Sequence, residues 1–423
     1  MTVDPPIRLL HLVHSYPPAF GGVEVSTRDL CEGLVARGGF EVDVLTTDVS
    51  SVAGFRDARF PRLPGAGTEE RNGVRVHRYP VDTRWATLLR PMQRIAYGLG
   101  LPRNDKLRTL YDGPISPMMR KAVVTHPADV ICAASFPLHH MQYAFARGPC
   151  GPPVVLVAAV HTNDPRGFAR NSIIDLVNRS FATVAHTRHE HDWLVERGAD
   201  RRRVVVIGHG LDPDVIHPTP GALRRRLGIG ARDFVIAFLG QHAPHKGIGT
   251  IVRAFPKALA LRSDSWLVIG GARTSFTAEL ERTVAALGPA GDRVRILPDL
   301  TEPEKADVLG DCDVFVSPSQ RESFGITTLE AWAFGKPVIV GDAPSQHEVV
   351  DGGRTGLIVP FGDVEALLCA LARTMDDTIR SRLGDAGRRC LVEQHGRRTV
   401  EDQYAALFQT AVGRSGDHAT ASM

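Results

Sequence analysis

Short apolar runs of strand length alternate with helical patterns along almost the whole chain, and the alternation stops once and restarts. Strands are expected at Ile7–Val13, Glu41–Thr46, Val74–Tyr79, Asp129–Ala133, Val154–Val160, Thr183–Ala185 and Val204–Ile207, with helices between most of them. A passage dense in chain breakers follows, from Gly208-His209-Gly210 to Pro218-Thr219-Pro220. Beyond it come strand Phe234–Leu239, helix Ile248–Leu261, strand Trp266–Ile269, helix Ala278–Leu287, strand Val294–Leu297, helix Glu302–Leu309 and strand Val314–Ser317. Short apolar strands interleaved with helices argue for parallel sheets covered on both faces. The expected class is therefore α/β, with two doubly wound Rossmann-like domains, since 423 residues exceed what one core usually supports. The boundaries fall at 1–207, a linker at 208–220, and 221–398. Ligands of such sheets bind at the carboxyl ends of the strands, so two such domains facing one another would hold a site in the cleft between them.

The stretch Arg321–Val340, RESFGITTLEAWAFGKPVIV, carries the densest chemistry. Gly335 followed by Pro337 is a helix stop, and Pro337–Val340 reads as a buried strand. The preceding helix should open at Phe324-Gly325-Ile326. A helix start offers unpaired N–H groups and roughly half a positive charge to an anion. Glu322 and Glu330 flank that start, which suits a diphosphate at the helix end and hydroxyl-rich sugars on the carboxylates. Taken alone, the stretch fits equally well an ordinary loop and helix with two surface glutamates.

Composition narrows the functional classes. With 43% apolar and 23% charged residues the chain is ordinary for a globular protein, and a net charge of +3 gives no argument for nucleic acid. Six scattered cysteines without Cys-x-x-Cys spacing, and an apolar run at Ile7–Val13 too short for a signal peptide, lead us to expect a cytoplasmic location. No stretch approaches the ~20 apolar residues a membrane span needs, so any membrane contact would be peripheral.

Gly21-Gly22-Val23-Glu24, His161 after a strand, Lys246-Gly247, and Glu322 with seven residues between it and Glu330 occur in collinear order. Together they resemble the retaining glycosyltransferases of family 4, which have the GT-B fold. The resemblance extends to Thr399–Val412, similar to the terminal helix that in this fold crosses back onto the first domain, with 413–423 expected to be disordered. It implies a nucleoside-diphosphate sugar donor, UDP- or GDP-linked, and transfer of a hexosyl unit to an acceptor hydroxyl by a front-side mechanism. His161 would then contact the transferred sugar, Glu322 its hydroxyls and Glu330 the ribose. Lys246 and the backbone of Gly21, Gly22, Phe324, Gly325, Ile326 and Thr327 would hold phosphate and sugar. Helix dipole and Lys246 supply the charge, and no Asp-x-Asp triplet of the kind metal-dependent transferases use is read in the sequence, so no metal or other cofactor is expected. Lys246-Gly247-Ile248 is not a P-loop, which needs Gly-Lys before Ser or Thr.

Two positions depart from the family. Gln241 stands where arginine is common, keeping a hydrogen-bond donor but losing the charge, with His242 or His245 available to compensate if protonated. His209 replaces an asparagine, which puts the local linker contact in doubt. His186, His189 and His191 lack metal-ligand spacing. Residues 84–121 hold Arg84, Arg90, Arg94, Lys106, Arg120 and Lys121 among apolar residues. The plainer reading, preferred on sequence, is a solvated face of an acceptor-side insertion; the other is docking on anionic lipid or an anionic acceptor. The acceptor stays open among lipid, polysaccharide and small natural product. Two rival functions remain, a UDP-sugar epimerase of the same fold and a catalytically silent nucleotide-sugar binder.

Overall fold

The computed structural model describes residues 5–19, 21–63, 67–101, 104–214 and 217–413. The tail expected to be disordered from 413 onward therefore lies, from 414, outside the described residues. Two compact units are present: one contains residues up to Gly208 together with those from Val400, and the other is His209–Thr399.

The first unit is built on eight strands, β1 (Ile7–Leu12), β2 (Phe40–Thr47), β3 (Thr68–Arg71), β4 (Val74–Tyr79), β5 (Val130–Ala134), β6 (Val154–Val157), β7 (Ala182–Ala185) and β8 (Val204–Val206). Their order is β3-β4-β2-β1-β5-β6-β7-β8. All neighbours run parallel except β3, an edge strand antiparallel to β4. This hairpin was not expected from sequence: Thr68-Glu69-Glu70-Arg71 is polar throughout and shows no apolar alternation. Along β1, Leu10 and Leu12 join the core on one face of the sheet, while Ile7 and Leu9 join that on the other. Successive strand side chains point to opposite faces, so a strand buried on both reads as a continuous apolar run. The last helix, Arg397–Ala411, contributes Tyr404, Ala405 and Phe408 to the second of these cores, with the Phe408 ring 6.4 Å from that of Phe40. Gly33 lies against this helix, where a Cβ would meet the carboxylate of Glu401.

The second unit is a six-stranded, wholly parallel sheet: β9 (Phe234–Leu239), β10 (Ser265–Gly271), β11 (Val294–Pro298), β12 (Val314–Ser317), β13 (Val338–Gly341) and β14 (Leu357–Val359), in the order β11-β10-β9-β12-β13-β14. Along β9, Val235, Ala237 and Leu239 enter one core and Phe234, Ile236 and Phe238 the other. Helix starts follow the sequence closely. Thr301 and Glu304 form the expected capping box, and Asp363 accepts the N–H of Ala366. The order reverses between β9 and β12, which leaves the loops after these two strands side by side at their carboxyl ends, where ligands of such sheets bind.

Candidate active site

Those two loops carry most of the sequence-predicted residues of the second unit. After β9 the chain passes Gly240 and exposed Gln241 to a short 3-10 turn, Pro244–Lys246, and then enters the Ile248–Leu261 helix. After β12 it runs from Pro318 to Gly325 and enters the Ile326–Ala333 helix. The loops are tied together where the Gln320 N–H donates to the His245 carbonyl, 2.8 Å. Gly247, at φ +74°, lies so close to the Pro318 carbonyl that a Cβ would overlap it. Only glycine reconciles that dihedral with that approach.

This arrangement brings Lys246 and Glu322 together. The Lys246 ammonium donates to Glu322 Oε2 at 2.7 Å, both side chains being largely buried. Gly325, at φ +92°, caps the Ile326–Ala333 helix without a side chain. The helix ladder leaves the N–H groups of Ile326 and Thr327 without an acceptor of its own. The loop before the helix is braced from behind. Ser345 Oγ donates to the Glu322 carbonyl (2.7 Å), and Gln346 Nε2 donates to the Phe324 carbonyl. Phe324 itself is 2% exposed and sits edge-on to His209 and His395, with ring centroids 5.0 and 5.5 Å away. The substituted linker histidine thus has a packing role.

Glu330, in the same helix, is 6% exposed. Its Oε1 accepts from Lys305 Nζ (3.1 Å), whereas its Oε2 is buried with no hydrogen-bond partner. Burial alone would lower the pKa of Lys305, but the carboxylates of Glu330 and Glu302 outweigh it and the net shift is upward. An acceptor oxygen withheld from water and left unpaired costs stability, and sites that wait for a donor group are where such atoms belong.

In the first unit, Gly21 caps the Gly22–Arg37 helix in an extended conformation at φ 174°, and a Cβ at Gly21 would overlap the Glu24 carboxylate. Glu24 is buried, and its Oε1 lies 3.1 Å from His14 Nε2. Burial would raise the pKa of Glu24, yet the charge and hydrogen bond of His14 bring it below its ordinary value. His14 follows β1 and its ring lies tilted, 5.9 Å from that of His140, whose Nε2 faces the Ala134 carbonyl at the end of β5. The order of this sheet reverses between β1 and β5, so the cluster marks its own carboxyl-end reversal point. His161 is partly buried and lies edge-on to Phe168 at 5.4 Å. The strand before it ends at Val157, three residues sooner than expected. Ala159 takes φ +51°, and the Val160 N–H turns to the buried Glu190 carboxylate, which also accepts from the His186 N–H.

Three sequence readings need correction. His242 cannot supply the charge missing at Gln241: it is fully buried with Nδ1 at 3.1 Å from Thr277 Oγ1, and burial lowers its pKa. The Asp-x-Asp spacing does occur, at Asp212-Pro213-Asp214 and Asp311-Cys312-Asp313. Asp311 accepts the N–H groups of Gly221 and Arg224, and Asp313 pairs with Arg224 while accepting the Val235 N–H, so the second triplet anchors backbone. Finally, Asp43, His77 and His126 form a cluster with metal-ligand proximity that sequence reading missed. Arg75 grips both oxygens of Asp43 there, at 2.9 and 2.6 Å, which meets that carboxylate's need for a cation.

Comparison with known proteins supplies the family. Residues 21–210 match the glycosyl transferase 4-like domain, and residues 221–389 match glycosyl transferases group 1. The chain belongs to glycosyltransferase family 4. It is 35% identical over 202 residues to the D-inositol 3-phosphate glycosyltransferase of Mycobacteroides abscessus, covering 46% of this chain and 44% of that one. With the Streptomyces avermitilis protein of the same name it shares 32% over 298 residues, 67% of this chain and 63% of that one. The chain thus spans about half the length of the relatives it matches. Among solved structures, Anabaena Alr3699/HepE in complex with UDP and glucose superposes with a TM-score of 0.71 at 19% identity, over 96% of this chain and all of that one. Sucrose-phosphate synthase from Thermosynechococcus elongatus gives 0.72 at 18%, over 96% and 99%. The fold of this glycosyltransferase is GT-B.

What sequence reading missed in this glycosyltransferase is the supporting shell: Lys305, Ser345, Gln346, His395, and the His14 and Glu24 pair. Glu24 stands within a quoted motif, and a carboxylate in the first turn of a helix beside two glycines was the available signal. The others gave none, because their partners lie far away in sequence.

Proposed function

We propose that this glycosyltransferase moves a hexosyl unit from a UDP- or GDP-sugar to an acceptor hydroxyl, with retention at the anomeric carbon and without a metal ion. The observation that carries this reading is the ion pair of Lys246 and Glu322, held beside an open helix start and a buried, unpaired oxygen of Glu330. Breaking the anomeric C–O bond leaves negative charge on the departing diphosphate. Lys246 and the N–H groups of Ile326 and Thr327 place positive potential there, fixed in advance by the two loops. Glu322 accepts from hydroxyls of the transferred sugar, and Glu330 Oε2 from a ribose hydroxyl. When donor arrives, Lys246 turns its hydrogen bonds from Glu322 towards phosphate. In the first unit, Gly21 and Gly22 admit a phosphate closely, and His161 contacts the sugar.

Retention follows from attack on the face that the leaving group vacates. The departing phosphate takes the acceptor's proton, so no side chain acts as a covalent nucleophile. The names of the relatives make a phosphorylated polyol or sugar the first acceptor class to try.

The test is transfer from UDP- and GDP-sugars to a panel of phosphorylated polyols, sugars and lipids, with product anomers assigned by NMR. Glu322→Ala, Lys246→Ala and His161→Ala should each lower the rate at least about tenfold with an unchanged unfolding midpoint. Wild-type turnover in all three would sink the assignment. Product formed without any acceptor would point instead to an epimerase.

A further inference from the structure

The helix Arg84–Gly98 in the first unit has an apolar stripe that its own fold does not cover. Trp85, Leu88, Met92 and Ile95, followed by Leu99 just past the helix end, are spaced three or four residues apart, the repeat that puts side chains on one helical face. Their exposure runs from 45% at Met92 to 69% at Leu99, while Leu89 and Ala96, on the adjoining face, are buried. These five, with Leu101 just beyond, make up much of the large exposed apolar surface among the described residues. A contiguous patch of this kind marks an interaction site.

Charge decides the occupant. No aspartate or glutamate occurs between Thr83 and Asn104, whereas Arg90 and Arg94 are exposed on the helix. The nearest acids are already committed. Asp82 holds Arg84 at 2.7 Å, Asp105 accepts the Ser172 N–H, and Asp112 pairs with buried Arg170. The Asp82 N–H donates to the Ile115 carbonyl, which brings the start of the Pro117–Thr125 helix beside the start of this one, adding exposed Met118, Arg120 and Lys121. The surface that remains is apolar with a cationic surround. A second copy of the chain would bring like charges together, and two heptads of stripe are short for a coiled-coil seam. An anionic bilayer surface satisfies both features, since apolar side chains enter the headgroup boundary and arginines meet lipid phosphates.

We infer that the Arg84–Gly98 helix docks this glycosyltransferase on the surface of a membrane rich in anionic lipid, lying in the interface rather than spanning it. No helix of the described residues is long and apolar enough to cross a membrane. The inference stands on this helix and its basic surround and does not depend on the donor site.

Vesicle co-sedimentation of the full chain tests it. Vesicles of phosphatidylcholine with about a third phosphatidylglycerol should bind at least about tenfold more tightly than phosphatidylcholine alone, and raised salt should weaken that binding. Leu88→Glu combined with Ile95→Glu should abolish it at an unchanged unfolding midpoint, because both side chains face solvent. Should that pair lower the midpoint, Leu88→Ser with Ile95→Ser replaces it. Arg90→Gln with Arg94→Gln should remove most of the preference for the anionic vesicles. Wild-type protein that ignores both vesicles, or a stripe variant that binds as wild type does, overturns the inference. So does concentration-dependent self-association that the stripe variant abolishes while vesicles bind neither protein, which would make a second copy the occupant.

Discussion

At the reversal point of its sheet the second unit gathers ionised pairs, Lys246 with Glu322 and Lys305 with Glu330. The corresponding point of the first unit gathers imidazoles, His14 beside His140, with a single carboxylate, Glu24. Burial lowers the pKa of His140 well below its usual value, and likewise brings His11, His139 and His186 to about 4. One architecture thus carries a different balance at its two reversal points, each with its exception: buried His242 among the charged pairs of the second unit, and the His14–Glu24 pair among the rings of the first. Charges persist where each has a partner within hydrogen-bond reach, and neutral rings prevail where desolvation is uncompensated.

Acid should break the comparison most strongly. His11, His139 and His186 have folded-state pKa values of about 4 against 6.5 for the ordinary group, so between these values the unfolded chain binds more protons. Their stabilising contribution is complete above pH 6.5 and is lost as pH falls towards 4, each adding a slope of up to about 1.4 kcal/mol per pH unit. Hydrogen exchange across this range should show β1 and β7 of the first unit opening before β9 and β12 of the second. Simultaneous opening would mean that the histidines do not set the difference.

Phe408→Ala comes next. It empties a fully buried site in the first unit and should cost about 3–5 kcal/mol in denaturant unfolding, with the amides of β9 and β10 still protected when those of β1 and β2 exchange. Glu330→Gln removes the charge from the unpaired oxygen of the second unit. Donor affinity measured by calorimetry should fall by about 1.5–3 kcal/mol, and an unchanged value would remove Glu330 from the site. The smallest effect is a gain. Gln241→Arg adds a cation at an exposed position in the loop that bears Lys246, and should tighten donor binding about tenfold. Unchanged or weaker affinity would count against the placement of this loop near the diphosphate.

Legibility in the sequence followed the range of the interaction. The helix Ile248–Leu261, the capping box at Thr301 and the cap at Asp363 were readable because all their groups lie within a few residues. The edge strand β3 was not, since its four polar residues are recruited by pairing with β4 and not by burial. His242 was misjudged because exposure, which decides whether an imidazole can hold a proton, is a property of packing. The second Asp-x-Asp triplet gained its structural role only when Gly221, Arg224 and Val235 came beside it. The mixture of basic and apolar residues in 84–121 was visible and read as a surface, but the helix Arg84–Gly98 and the gathering of its apolar residues into one exposed stripe were not.

By itself, then, the sequence determined two α/β units, all their strands but the edge strand β3, the family, and the helix start at Gly325 with a glutamate on either side. Strand burial, caps and glycine turns are local, and local order is written in neighbouring residues. The tertiary structure decided that Lys246 meets Glu322 across 76 residues, that one oxygen of Glu330 is left without a partner, and that the stripe on Arg84–Gly98 remains uncovered. Each depends on which distant surfaces the sheet order brings together, and no periodicity along the chain encodes that order.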